Sequence, residues 1–499
     1  MIIVQLNRHT FEYDVHSLVQ AFFPGVHVKI VYEEAPEEEA EVSLRLVISF
    51  AVADITVRLV DAAGELLMED TVSLPHPFTV QSGKPQTSAD RQERHDSKNE
   101  LKRLIYRMLS KYTNQTLPWG DLTGIRPTKI PMALLEQGWK NADIAVHMRD
   151  TYYTSREKTA LAIAIANRER HILKDINYQN GYSLYVGIPF CPSICLYCSF
   201  SSSPLALWKN QVDAYLDALC REIDYVSDAF ADKELNTIYI GGGTPTTLEP
   251  YQLERLLNKL EERFDYSRLL EFTVEAGRPD SITREKLAVL RAHGITRISI
   301  NPQTMNQKTL DLIGRRHTVE QTIQAFSLAR DMGFDNINMD LIVGLPGEEQ
   351  REVEHTLKEV VRLDPDSITV HSLAVKRAAR LKMFRDEYKE MTFTNNCAIM
   401  DMTAQYARQA GHAPYYLYRQ KNMAGNFENV GYSKEGKAGI YNILIMEEVQ
   451  SILALGAGAS TKLVLAKDRI ERIENVKDIK NYIERIDEMI ERKRSGIHE

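Results

Sequence analysis

Three of the chain's five cysteines stand on one short segment, Tyr185-Val186-Gly187-Ile188-Pro189-Phe190-Cys191-Pro192-Ser193-Ile194-Cys195-Leu196-Tyr197-Cys198. The spacing C-x3-C-x2-C lets three thiols on one loop converge on a single metal centre. Zinc is one candidate, but a closed structural zinc site takes four ligands, usually as two pairs. No histidine or further cysteine stands nearby to complete it. Three thiolates suit a cubane iron–sulfur cluster in which one iron keeps an open position, with a potential set by cluster charge and solvent access. Cys220 and Cys397 fall in helical patterns and read as core thiols.

A second group of residues shares a position rather than a motif. Gly241-Gly242-Gly243-Thr244-Pro245-Thr246 closes an apolar run, and three residues without side chains let backbone approach a ligand closely. No Gly-Lys-Ser/Thr follows, which argues against a phosphate loop. Glu275 and Gln303 close two later apolar runs, and Asp340 lies within another. Lys376, Arg377 and Arg380 follow the last of these runs, and Arg419 and Lys421 stand among Tyr415, Tyr416 and Tyr418. Aromatic faces beside cations suit a flat ligand rimmed by carboxylates. His317 and His371 read as packing histidines rather than axial ligands.

The elements that must hold these residues follow from the rhythm of the chain. Short apolar strands are expected at Tyr182–Phe190, Thr237–Gly243, Glu271–Gly277, Arg297–Gln303, Ile337–Gly344 and Ser367–Leu373. Helical stretches such as Gln252–Phe264, Arg284–His293 and Val319–Met332 lie between them. Alternation at this spacing demands parallel strands with right-handed crossovers. Six such strands make a doubly wound sheet or a partial barrel, and in both the chemistry sits at the carboxyl ends of the strands. The unusual residues cluster there. Upstream, Val42 to Val60 alternates as a small sheet with a turn at Gly64, and helical periodicity dominates from Glu100 to Asp175 around the loop Trp119–Pro127. Residues 1–178 are therefore expected as an α+β accessory domain, 179–378 as the α/β domain and 379–499 as a mixed, mainly helical domain. In the last, Ile479, Tyr482, Ile483, Ile486, Met489 and Ile490 share one helical face and are expected to pack on the body.

C-x3-C-x2-C at the end of the first strand is similar to the signature of radical S-adenosylmethionine (SAM) enzymes. The match runs further. Tyr185–Cys198, Gly241–Thr246, Arg297–Gln303, Met339–Gly347, Gly456–Ser460 and Asn475–Asp478 resemble oxygen-independent coproporphyrinogen III oxidase. Trp119–Lys129 and Pro414–Asn422 resemble its HemZ branch, the coproporphyrinogen dehydrogenase-like proteins with an extra N-terminal domain. The resemblance implies a partial (β/α)6 radical SAM barrel with a [4Fe–4S] cluster on Cys191, Cys195 and Cys198. It implies SAM, one molecule or two, held by Tyr185, Tyr197, Gly242, Gly243, Thr244, Glu275, Gln303, Asp340 and Ala374, with Arg315 on the SAM carboxylate. The cofactor would release a 5′-deoxyadenosyl radical while the protein positions it. The implied reaction oxidatively decarboxylates two propionates of coproporphyrinogen III to vinyl groups in haem biosynthesis. On that reading Lys376, Arg377, Arg419 and Lys421 meet the tetrapyrrole carboxylates, and an electron donor and acceptor are required that the sequence does not name.

Two features depart from the family. A fourth cysteine commonly stands two residues past the third, where this chain has Phe200, and the usual N-terminal arm is replaced by the sheet-plus-helix region. A sister group of haem chaperones carries a His-Asn pair before Tyr-Trp, and no histidine here is followed by asparagine. A haem or porphyrin carrier without turnover is the alternative reading.

Composition sets outer limits. With 499 residues, about three domains are expected at roughly 150 residues each. Apolar residues at 43% and charged residues at 26% are ordinary for a folded chain. A net charge of −8 gives no general attraction for nucleic acid. The most apolar stretch, Ser43–Val60, is interrupted by Arg45, Asp54 and Arg58, so no membrane span is expected. Without a signal-like leader, a cytoplasmic location is expected.

Overall fold

The computed structural model describes residues 1–32, 42–76, 88–199, 202–374, 393–420, 426–466 and 469–498. They form two compact units, Met1–Ile163 and Ala164–Glu499.

In the first unit, strands β1 (Ile2–Leu6), β2 (Val28–Val31), β3 (Leu44–Phe50), β4 (Asp54–Asp61) and β5 (Leu66–Ser73) form one sheet in the order β2-β1-β3-β4-β5. Alternation works as the sequence implies: Leu44, Leu46, Ile48 and Phe50 of β3 are buried. They pack with Val15, Leu18 and Val19 of helix α1 (Glu12–Phe22) and with Leu101, Leu104 and Ile105 of α2 (Ser88–Thr113). That second helix begins well before Glu100. Helices α3 (Lys129–Glu136) and α4 (Asn141–Tyr152) follow, and α5 (Arg156–Leu173) crosses into the second unit.

The second unit carries the α/β repeat. Strands β6 (Gly181–Ile188), β9 (Glu234–Gly242), β10 (Glu271–Gly277), β11 (Arg297–Ile300), β12 (Ile337–Val343) and β13 (Ser367–Ser372) lie side by side in chain order, all parallel. Between β6 and β9 a two-residue pairing joins β7 (Phe190–Cys191) to β8 (Ser203–Pro204). The crossovers are α6 (Val212–Ala229), α7 (Pro250–Arg263), α8 (Arg284–Ala292), α9 (Gln307–Leu312) with α10 (Val319–Asp331), and α11 (Gln350–Leu363). Their apolar stripes face the sheet, as with Leu253, Leu256, Leu257 and Leu260 of α7. Helix starts are written locally: Thr318 Oγ1 accepts from the Gln321 amide at 3.1 Å, and Gln321 Oε1 accepts from the Thr318 amide at 2.8 Å.

The division expected at 178 and 378 is finer than the two units observed. The region beyond residue 379 is mixed and mainly helical, as expected, and its strands pair directly into the barrel sheet. On one side β15 (Asn429–Ser433) pairs antiparallel with β13, and β14 (Ala413–Tyr418) pairs with β15. On the other, β16 (Ser451–Leu455) lies parallel to β6 as a seventh parallel strand, followed by β17 (Ser460–Ala466) and β18 (Arg469–Glu474). The resulting 11-stranded sheet runs from β14 to β18 without closing. The expected terminal stripe is split into helices Ile479–Glu484 and Ile486–His498, with Ile479, Tyr482, Ile486 and Met489 buried. No helix among the described residues is long and apolar enough to cross a membrane.

Candidate active site

Parallel order brings the carboxyl ends of β6, β9, β10, β11, β12 and β13 to one edge of the sheet. The cysteine loop leaves β6 at this edge. It is pinned to the turn that follows α9: the Leu196 amide donates to Ile313 O at 2.9 Å, and Ser193 Oγ donates to Gly314 O at 3.2 Å. Arg278, just past β10 and only 2% exposed, forks onto both oxygens of Asp280 at 2.9 and 2.7 Å. Its remaining nitrogen donates to Ser193 Oγ at 2.6 Å. A buried bidentate arginine thus clamps the middle of C-x3-C. Sequence reasoning missed it; the signal was an arginine immediately after a strand-ending glycine.

All three cysteines are free thiols. Thr244 Oγ1 donates to Cys191 Sγ at 3.6 Å. Burial pushes the Cys191 thiol up, the Thr244 and Ser202 hydroxyls oppose that, and the Cys198 and Cys195 sulfurs add to it. The three sulfurs therefore sense one another. Among the described residues no three His, Cys, Asp or Glu side chains stand so as to hold a single metal ion.

The glycine run at the end of β9 lies against this loop. The Gly243 amide donates to Ile188 O at 2.7 Å and the Thr244 amide to Phe190 O at 2.7 Å. A Cβ on Gly243 would sit 2.5 Å from Phe190 O, and Gly242 has φ +105°, with the Tyr185 hydroxyl 3.1 Å from where its Cβ would be. Only glycine fits both places. Glu275 of β10 reaches this gap: a Cβ on Gly241 would lie 3.0 Å from its carboxyl carbon. Tyr239 Oη of β9 donates to Glu275 Oε1 at 2.5 Å. Burial raises the Glu275 carboxyl to about 7, with Tyr239 pulling down and Asp340 pushing up.

On the other half of the edge, Gln303 holds φ +68°, unusual outside glycine, and is 7% exposed. Its backbone is fixed by Asp340 O at 3.0 Å and the Ile342 amide at 2.9 Å, while its side-chain Oε1 is buried without a hydrogen-bond partner. Such a local strain with an orphaned acceptor marks a ligand position. Asn338 Nδ2 donates to Asp340 Oδ1 at 2.7 Å, and His371 Nε2 stands 3.8 Å from Asp340 Oδ2. Burial opposes ionisation of Asp340, but His371 and Asn338 outweigh it and hold the carboxyl below its ordinary value. His371 Nδ1 also lies 3.5 Å from Tyr418 Oη, so this histidine faces polar groups rather than packing among apolar ones.

Arg315 points inward and Arg316 outward. Arg315 donates to Asn301 O, interacts with Tyr197 and Cys195, and leaves its buried Nε without a partner. Buried His317 beside it is lowered to about 3 by desolvation and by Arg315, and stays neutral. Tyr197 packs on the apolar group of Leu196, Ile313, Ile342, Leu345 and Leu373, and Ala374, the residue after Leu373, is half-buried. Of the cationic set, Lys376, Arg377, Arg380 and Lys421 lie outside the described residues. Arg419 is 5% exposed and donates to Asn426 Oδ1 at 2.8 Å.

Residues 185–360 match the Radical SAM superfamily. Over 401 residues, 79% of this chain and 80% of the relative, the sequence is 41% identical to the oxygen-independent coproporphyrinogen-III oxidase-like protein HemZ of Bacillus subtilis (strain 168). It is 39% identical over 195 residues to the heme chaperone HemW of the same organism, which covers 39% of this chain and 51% of HemW. Among solved structures, the radical SAM enzyme coproporphyrinogen III oxidase (HemN) from Escherichia coli superposes with a TM-score of 0.51 and 25% identity, over 64% of this chain and 73% of HemN. With its cysteine loop, glycine gap and strand-end carboxylates on an open parallel barrel, the chain belongs to the radical SAM superfamily, in the oxygen-independent coproporphyrinogen III oxidase-like family that includes HemZ.

Proposed function

We propose that the chain is a SAM-dependent oxidoreductase that converts two propionates of coproporphyrinogen III to vinyl groups, giving protoporphyrinogen IX. The observation that carries this reading is the strand-end edge. Three thiols, a gap only glycine fits, and the orphaned Gln303 Oε1 lie at the ends of consecutive parallel strands.

The residues fit the cofactors the family implies. Three thiols on one loop, with no fourth cysteine beside them, suit a multi-iron group that leaves one iron open, and a thiol that burial keeps protonated is ionised once iron binds it. Cys191, Cys195 and Cys198 would hold the [4Fe–4S] cluster. Tyr185, Gly242, Gly243, Thr244 and Glu275 form one group of SAM contacts; Tyr197, Gln303, Arg315, Asp340 and Ala374 form a second, as two SAM molecules would need. When bound, cluster and SAM supply a one-electron reagent that removes a hydrogen atom.

The chain's own contribution is positional. Arg278 fixes the loop, Glu275 and Asp340 accept hydrogen bonds from ligand hydroxyls or amines, and Arg315 pairs with a carboxylate. Each propionate loses one hydrogen atom, CO2 and one electron, the last to an external acceptor. Four substrate carboxylates call for cations, and Lys376, Arg377 and Lys421 are assigned to them. Arg419, bonded to Asn426, is the described member of this set. We place the reaction in the cytoplasm.

Anaerobic incubation of reconstituted protein with coproporphyrinogen III, SAM and reductant tests the proposal. It expects protoporphyrinogen IX with 5′-deoxyadenosine and methionine. The partial likeness to HemW favours one rival, a haem carrier; stoichiometric haem binding with a Soret shift and no tetrapyrrole turnover would establish it instead.

A further inference from the structure

Tyr239 sits one strand away from Glu275 and has no place in the ligand set above. It is the middle ring of a column. Its ring lies 6.2 Å from that of Tyr185 on β6 and 4.6 Å from that of Tyr441 on helix Ile440–Glu447, near-parallel to both at 15° and 22°. In β9 and β10 the Cα of Tyr239 is paired with that of Thr273, and Glu275 lies two residues further on the same face. That diagonal lets the phenol reach the carboxylate, at 2.5 Å. A phenol so held between two rings has little freedom to turn elsewhere.

We infer that Tyr239 is a positioning residue for Glu275, fixing the direction of its carboxylate toward the bound nucleoside of SAM. The inference rests on the proposed role of Glu275 as a SAM contact. Tyr239 occupies Oε1 and the Gly242 amide also donates to the carboxylate, while Oε2 lies at the glycine gap, 3.1 Å from where a Cβ on Gly241 would be.

The other groups facing Glu275 are Asp340 on β12, whose charge opposes its ionisation, His371 on β13, which favours it, and the neutral phenols of Tyr185 and Tyr441. Burial is the largest influence and places the carboxyl at about 7, with the Tyr239 hydrogen bond holding it from going higher. A ligand that reads the ionised form is bound above that pH and released below it. Removing the phenol hydroxyl raises the Glu275 carboxyl further, so the binding midpoint moves to higher pH.

The experiment compares wild type, Tyr239→Phe and Glu275→Gln, each anaerobically loaded and kept oxidised so that SAM is bound but not cleaved. SAM affinity is measured by calorimetry from pH 6 to 9. Phe keeps the ring column and loses only the hydroxyl. Wild type is expected to lose affinity as pH falls through neutrality. Tyr239→Phe should shift that midpoint up by about one pH unit, giving roughly fivefold weaker binding at pH 7 and near wild-type binding at pH 9. An equal loss at every pH, or no loss, overturns the inference while leaving Glu275 as a ligand residue. If Glu275→Gln changes neither affinity nor its pH dependence, the role of Glu275 itself has failed, and the inference with it.

Discussion

Lys493, near the end of the chain, is expected to hold the strand that feeds the cysteine loop. It is fully buried, and its Nζ lies 2.7 Å from Oε1 of equally buried Glu222 on α6 and 2.8 Å from Asn475 Oδ1. Glu222 in turn accepts from the Gly456 amide at 2.9 Å, Tyr482 Oη at 2.5 Å and Asn475 Nδ2 at 2.7 Å. Tyr215 Oη, which accepts from the Ala457 amide, donates to Gly187 O at 2.6 Å, four residues before Cys191. Removing one partner of a buried pair typically costs about 3–5 kcal/mol because the other charge is stranded. Here the carboxylate keeps three donors, so Lys493→Met belongs near the lower figure, about 3 kcal/mol. Urea unfolding of the purified chain, following the transition of the Ala164–Glu499 unit, measures it. The double variant Glu222→Gln, Lys493→Met removes both charges and should recover more than half of the loss. A single-variant loss under about 1 kcal/mol, or a double variant no better than the single, would refute the argument that a stranded charge dominates.

Other expectations follow from close contacts at the edge. Gly243→Ala drives a methyl into two backbone carbonyls, and overpacking of about 1–3 kcal/mol with weakened SAM binding is expected, whereas Gly124→Ala, with open space around it, should stay within about 0.5 kcal/mol in denaturant unfolding. Arg278→Lys keeps the charge but loses the fork onto Asp280 and Ser193; loaded protein should shed iron faster during anaerobic gel filtration while its unfolding midpoint changes little. His371→Phe removes the imidazole from Asp340, whose carboxyl should rise toward its ordinary value, so SAM affinity should fall at acidic pH and less at alkaline pH, read by calorimetry.

How much of this was legible in the sequence follows from the range of each signal. The cysteine spacing, the glycine run and the strand-ending Glu275 and Gln303 are local. Strand periods put Glu271–Gly277 and the helix starting at Arg284 where they are found. Pairings across long stretches of chain left no local trace. Strand β16 joins β6 from more than 260 residues away, and β14 and β15 extend the other edge, because their partners are chosen by burial and open sheet edges rather than by neighbouring residues. The same reason hid Tyr239, Arg278 and His371. Tyr239 carries no local mark, Arg278 only its place after a strand-ending glycine, and His371 reads as a packing histidine; their roles appear only once the fold sets them beside a carboxylate or the cysteine loop. The aromatic segment at Pro414 read as part of a helical region, and became a strand because β-forming tyrosines could pack on a ready-made sheet.

The central claim is that Cys191, Cys195 and Cys198 hold an iron–sulfur cluster with an iron left open to SAM. Iron and sulfide content of anaerobically reconstituted protein tests it most directly, with Cys198→Ala as control. About four irons and four sulfides per chain, a brown chromophore and its loss in the variant are expected. Protein that stays colourless, or takes up one zinc at these thiols in preference, would contradict the account.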